Sequence, residues 1–216
     1  MVKLTQAEVG QLKKLCSDGS HAACADLGIL FLQGPASGVE HDAPRAASLF
    51  AGACDGGDAR ACTQLGALQL AGKGGVARDT VNGMLNVQKG CRGDDGDGCF
   101  MFGKLLYSGQ APGGKNPDRA AQYFLHACGL GHAPCAQACA VVGSMFWERC
   151  GEGGGAANCS NAARCFGRGC ALGSSDACGQ ISDIYPAVGS ACAAGDEEAC
   201  KLREAFRAAM PAAMER

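Results

Sequence analysis

The strongest constraint on this chain is a pair of cysteines eight positions apart that recurs along its length. It stands at Cys16/Cys24, Cys54/Cys62, Cys91/Cys99, Cys170/Cys178 and Cys192/Cys200. The first cysteines at 16, 54, 91 and 128 are 38, 37 and 37 residues apart. A fixed period in the range of about 20 to 50 residues marks an array of like structural units. The residues between the paired cysteines, as in "ACDGGDARAC" from 53 to 62, are too small and glycine-rich to form a core.

The segments between pairs keep one internal order. "ACADLGILFLQG", "ACTQLGALQLAG" and "GCFMFGKLLYSG" each run from a cysteine through Gly28, Gly66 or Gly103 to a closing Gly34, Gly72 or Gly109, which predicts a first helix, helix A. Asp42, Asp79 and Asn116 each stand twelve residues before the next cysteine and are strong N-cap types, so a second helix, helix B, starts there. Its small column is Ala46, Gly83 and Ala120. Its bulky column, four residues later, is Phe50, Val87 and Phe124, the spacing of one buried helical face. In the fourth repeat the same template puts Asn158 at the cap, Ala162 and Phe166 on the two columns, Gly143 in helix A and Cys139 in register as the partner of Cys128, with three residues inserted in the turn.

Between paired cysteines, glycine stands three residues after the first at Gly19, Gly57, Gly131, Gly173 and Gly195, where a left-handed residue ends a helix. The third repeat has Asp94 there. Ser20, Asp58, Asp95, Ser174 or Asp196 follows as an N-cap. The first cysteine therefore closes helix B and the second lies one turn into the next helix A, so a disulfide staples successive repeats. Four cysteines remain, Cys135, Cys150, Cys159 and Cys165. Two further bridges, Cys150–Cys159 across a loop and Cys135–Cys165 between antiparallel helices, suit their positions, and exchange among Cys128, Cys135 and Cys139 stays open. A metal or haem site from His126, His132, Cys135, Cys139 and Cys165 is the alternative, since imidazole and thiolate suit zinc, copper or haem iron. The disulfide reading is preferred, and no cofactor or metal is expected.

The order LG-x-x-(aromatic or Leu), G, D-x-x-x-A-x-x-x-F, C-x7-C resembles Sel1-like repeats in the cysteine-rich form associated with the Hcp proteins of bacteria, over about residues 5 to 203. The resemblance implies an all-α fold, an α/α solenoid related to TPR helix pairs, each repeat cross-linked by a disulfide. The family includes penicillin-binding or β-lactamase-like members, adaptors in signalling and secretion, and a mitochondrial factor for cytochrome c oxidase assembly. A single solenoid over 1–216 is expected: a capping helix at 1–16, repeats at 17–54, 55–91, 92–128 and 129–170, and a shortened repeat with a C-terminal capping helix at 171–216. "TQAE" at 5 to 8 is a capping-box signature, and "DEEACKLREAFRAAM" from 196 to 210 reads as an amphipathic last helix. Pro186 interrupts the segment between Cys170 and Cys192, so that repeat is expected to have lost most of one helix.

The formal net charge of -2 and the absence of a basic run argue against nucleic acid as a partner, and no apolar stretch is long enough to span a membrane. No S-x-x-K, G-x-S-x-G, H-E-x-x-H or P-loop pattern occurs, and the clusters "GKGG" and "GEGGG" read as flexible loops. The expectation is a non-enzymatic scaffold for other proteins, an assembly factor or accessory subunit of a larger complex, a respiratory one included. A Hcp-type hydrolase and a haem or metal carrier are the alternatives. Tyr107, Phe146 and Trp147 are candidate partner contacts on the helix A side, with core packing the preferred role for Trp147 and its neighbour Phe146. Sixteen cysteines require an oxidising compartment, and "MVKLTQAEVGQLKKLC" has no signal-peptide h-region. The mitochondrial intermembrane space satisfies both; the bacterial periplasm or the cell exterior is the alternative.

Overall fold

The computed structural model describes residues 4–131, 135–151 and 155–210. Among them are eleven α-helices and no strand: α1 (Gln6–Ser17), α2 (His21–Gln33), α3 (Ala43–Asp55), α4 (Ala59–Ala71), α5 (Thr80–Arg92), α6 (Gly96–Ser108), α7 (Pro117–Leu130), α8 (Ala136–Gly151), α9 (Gly155–Ala171), α10 (Ser175–Ala193) and α11 (Glu197–Ala209). The helices start where capping chemistry places them. Thr5, Ser20, Asp42, Asp58, Asp79, Asn116, Ser174 and Asp196 each accept a backbone N–H with the side chain, and Glu8 completes a capping box with Thr5. Each such cap contributes about 1 kcal/mol.

The chain forms two compact units, Met1–Phe102 and Gly103–Arg216. In the first, α1 packs on α2, α2 on α3, α3 on α4 and α4 on α5, around Val9, Leu27, Phe31, Phe50 and Cys54. In the second, α7 through α11 pack in succession and α11 also returns onto α9, with Phe166, Ile181, Ile184 and Phe206 in its core. The helix A glycine and the bulky column of helix B explain how the pairs close. A Cβ at Gly28, Gly103 or Gly143 would lie 2.6, 2.7 and 2.7 Å from the ring of Phe50, Phe124 and Phe166 respectively. Glycine is there because the ring occupies its place. At α4 and α5 the smaller Gly83 and Val87 let the backbones meet directly, and a Cβ at Gly66 would stand 2.6 Å from the Gly83 carbonyl oxygen.

Seven disulfides are present: Cys16–Cys24, Cys54–Cys62, Cys91–Cys99, Cys128–Cys139, Cys150–Cys159, Cys170–Cys178 and Cys192–Cys200, with Cα–Cα distances from 4.4 to 5.0 Å. The turn within each eight-residue pair is the one its sequence asks for. Gly57 has φ +93°, its N–H donates to the Cys54 carbonyl, and Asp58 N–H donates to that of Ala53. Asp94 takes the same role with φ +63°, alone among the described non-glycine residues in that region.

Three expectations are corrected. Cys135 and Cys165 do not form a disulfide; both are buried. Phe166 faces Gly143 of α8, and Cys165, one residue earlier, is turned about 100° around α9 from it and lines a groove instead. Second, α9 begins at Gly155, before the expected Asn158 cap, so Cys159 lies inside the helix. Third, Pro186 does not interrupt the last short repeat. α10 runs unbroken for 19 residues from one disulfide turn to the next, and Pro186 sits on its exposed side. There the carbonyl that loses its N–H partner can be hydrated.

Candidate functional site

A stripe of α9 lines an open groove in the second unit. Asn161, Arg164, Cys165 and Arg168 recur at helical spacing along it and form one wall of the groove, of about 780 Å³. Leu125 and Gly129 of α7 and Ala205 and Ala208 of α11 flank it, and Phe146 of α8 also lines it. The groove exists because its flanks carry small side chains. α11 is held close to α9 where Gly167 meets the Ala209 carbonyl, and glycine and alanine beside that contact leave space unfilled.

The walls are apolar and the charges on them have one sign. Leu125 is 40% exposed, and Phe146 is half-buried. Arg168 Nη2 donates to the Gly129 carbonyl at 2.8 Å. Arg164 is exposed and has no hydrogen-bond or ion-pair partner among the described residues. No carboxylate is among the described residues lining the groove. Burial pushes the Cys165 thiol up to about 11, against the opposing pull of Arg164 and Arg168. At neutral pH it is a protonated apolar lining group and a poor nucleophile or metal ligand.

Arg168 also discloses a device that the spacing of apolar residues does not show. It stands two residues before Cys170, as Lys89 stands two residues before Cys91. Lys89 Nζ donates to the Cys54 carbonyl at 2.9 Å, at the end of α3. In each case a cation on one helix B caps the carbonyl end of the preceding helix B, where the helix dipole favours it.

The candidate partner-binding aromatics take three different roles. Tyr107 is 42% exposed, with the Lys115 ammonium 5.2 Å from its ring centroid. Phe146 lines the groove. Trp147 packs edge-on to Phe206 at 6.2 Å and belongs to the core of the second unit. Of the metal set, Cys139 is bonded to Cys128, His126 is exposed, and His132 lies outside the described residues. The "GKGG" cluster lies in the loop between α4 and α5, whereas most of "GEGGG" lies outside the described residues.

The helix-pair architecture now has known counterparts. A Sel1-repeat protein from Oxalobacter formigenes superposes with a TM-score of 0.69 at 20% identity, covering 93% of this chain and 78% of its own. The Escherichia coli protective antigen c5321, which displays the SLR fold, gives 0.66 at 21% identity over 93% of this chain and 40% of the antigen. The chain has the Sel1-repeat fold. The immunity protein Pa5087 of Pseudomonas aeruginosa follows at 0.55 and 18% identity, covering 93% of this chain and 71% of that one. No protein-family model and no curated protein sequence matches the chain. The Sel1 solenoid here is stapled by seven disulfides, which suits an oxidising compartment. No described helix is long and apolar enough to cross a membrane.

Proposed function

We propose that this Sel1-fold chain is a non-enzymatic scaffold that holds another protein, as an assembly factor or accessory subunit of a larger complex. The observation that carries this reading is the open groove of the second unit, with its exposed apolar residues and unpartnered Arg164 beside a thiol held protonated. A stiff surface with an apolar centre and a charged rim suits protein contacts better than bond-making chemistry. The disulfides place the work in an oxidising compartment, and the intermembrane space of mitochondria is the location proposed. Affinity capture of the tagged chain from its native compartment, read by mass spectrometry, should return a partner in stoichiometric amount. Capture of none, or covalent labelling of the chain by a fluorescent penicillin, would overturn the proposal.

A further inference from the structure

We infer that the groove between α7, α9 and α11 takes an acidic amphipathic segment of the partner protein, apolar on one face and bearing Asp or Glu beside it; this rests on the scaffold reading above. Three observations point to that chemistry. The lining is apolar at Leu125, Phe146 and the alanines of α11, so an occupant gains by burying apolar side chains there. Both charges on it are guanidiniums and none of its described lining residues is a carboxylate, so the groove's own charge is uncompensated. Arg164 has all its donors unused, and Arg168 spends one nitrogen on the Gly129 carbonyl while its exposed side chain keeps others.

Guanidinium forks match carboxylates in a two-point contact, which an uncharged or basic segment cannot make. The two arginines are four residues apart on α9, about one helical turn. Acidic residues one turn apart on a docking helix would meet both. A groove flanked by two helices on a third is also the shape into which a single helix lays its apolar face. The volume of about 780 Å³ accommodates several side chains, not a whole domain.

The test begins with a random peptide library displayed on phage and selected on the full-length oxidised chain, followed by fluorescence anisotropy with labelled synthetic copies of the selected peptides. The selected peptides should carry Asp or Glu interleaved with Leu or Phe, and their affinity should fall at least about tenfold in Arg164→Glu and on raising the salt. Ala208→Trp fills the groove from an exposed position and should weaken binding by a similar factor with α-helical circular dichroism unchanged. Enrichment of no peptide, selection of basic or uncharged peptides, or binding that survives both substitutions would overturn the inference. So would sedimentation showing that the chain dimerises through this face, with the dimer lost in the same variants. Capture with wild type and Arg164→Glu side by side separates the two readings. A stoichiometric partner kept by both leaves the scaffold standing and overturns the groove, whereas the absence of a partner on either chain counts against the scaffold.

Discussion

Two residues show how local size and burial set what each position tolerates. Gly66 faces backbone, for its Cβ would sit 2.6 Å from the Gly83 carbonyl oxygen and 2.8 Å from the Val87 nitrogen, whereas Gly28 faces the ring edge of Phe50. A ring edge can shift by tenths of an ångström; two helix backbones in contact cannot separate without opening the interface. Gly66→Ala should therefore cost about 3 kcal/mol and Gly28→Ala about 1 kcal/mol, both after the offset from the better helix propensity of alanine, since each glycine lies inside a helix. Denaturant melts of the two variants check the ranking, and equal losses would contradict it. Cys165 gives a pH dependence. Its folded-state pKa of about 11 is raised above the ordinary thiol value by burial, so its stabilising contribution is complete below about pH 9 and is lost as pH rises through about 11. Iodoacetamide should label Cys165 slowly at pH 7.5 and much faster above pH 10. Rapid labelling at neutral pH in the folded chain would contradict that sign.

At the scale of elements, the staples differ by where their sulfur lies. Closing an eight-residue loop removes about 2.5 kcal/mol of unfolded-chain entropy on the loop-closure model, and the nine-residue loop of Cys150–Cys159 is worth nearly the same. The difference comes from packing. Cys54 and Cys62 are each 1% exposed and join α3 to α4, whereas Cys150 and Cys159 are half-buried and close a loop within one repeat. The paired change Cys54→Ala with Cys62→Ala should thus cost about 3 to 4 kcal/mol against about 2 kcal/mol for Cys150→Ala with Cys159→Ala, because the first also leaves a small cavity. Thermal melts under non-reducing conditions decide between that order and its reverse. Lys89 tests the other link between helices. Lys89→Ala removes the donor to the α3 carbonyl end and should cost about 0.5 to 1 kcal/mol, a loss that Lys89→Arg should largely restore.

For the whole molecule, the disulfide map is the decisive measurement, because stacked repeats couple mainly to their neighbours and each staple acts where that coupling is made. Non-reducing peptide mapping of the native protein should recover the seven linked pairs, with Cys128 joined to Cys139 and Cys165 alkylated once the chain is unfolded. Recovery of Cys135 linked to Cys165, or of most cysteines in reduced form, would contradict the arrangement. The same map bears on location, since seven intact bonds in protein taken from cells require an oxidising compartment.

Much of this architecture is legible in the sequence because its signals are local. N-cap side chains, left-handed glycines and cysteines eight apart act over one turn of chain, so period and cap together predict the helix pairs and the staples between them. The Gly28 and Phe50 columns were also visible, as a size pattern repeated each period. What needed the tertiary structure were the features that depend on which way a helix is turned. The Cys135–Cys165 bridge is plausible from two positions on antiparallel helices, but the rotation of α9 that seats Phe166 on Gly143 puts Cys165 in the groove lining and leaves both thiols unbridged. Pro186 reads as a break until the helix is seen to place it toward solvent. The groove is the clearest case: Leu125, Arg164 and Ala208 are far apart in sequence and carry no motif, and they meet only because α11 folds back onto α9. Local hydrogen bonds and covalent staples are written into neighbouring residues, whereas a binding surface is made by the rotation and return of whole helices.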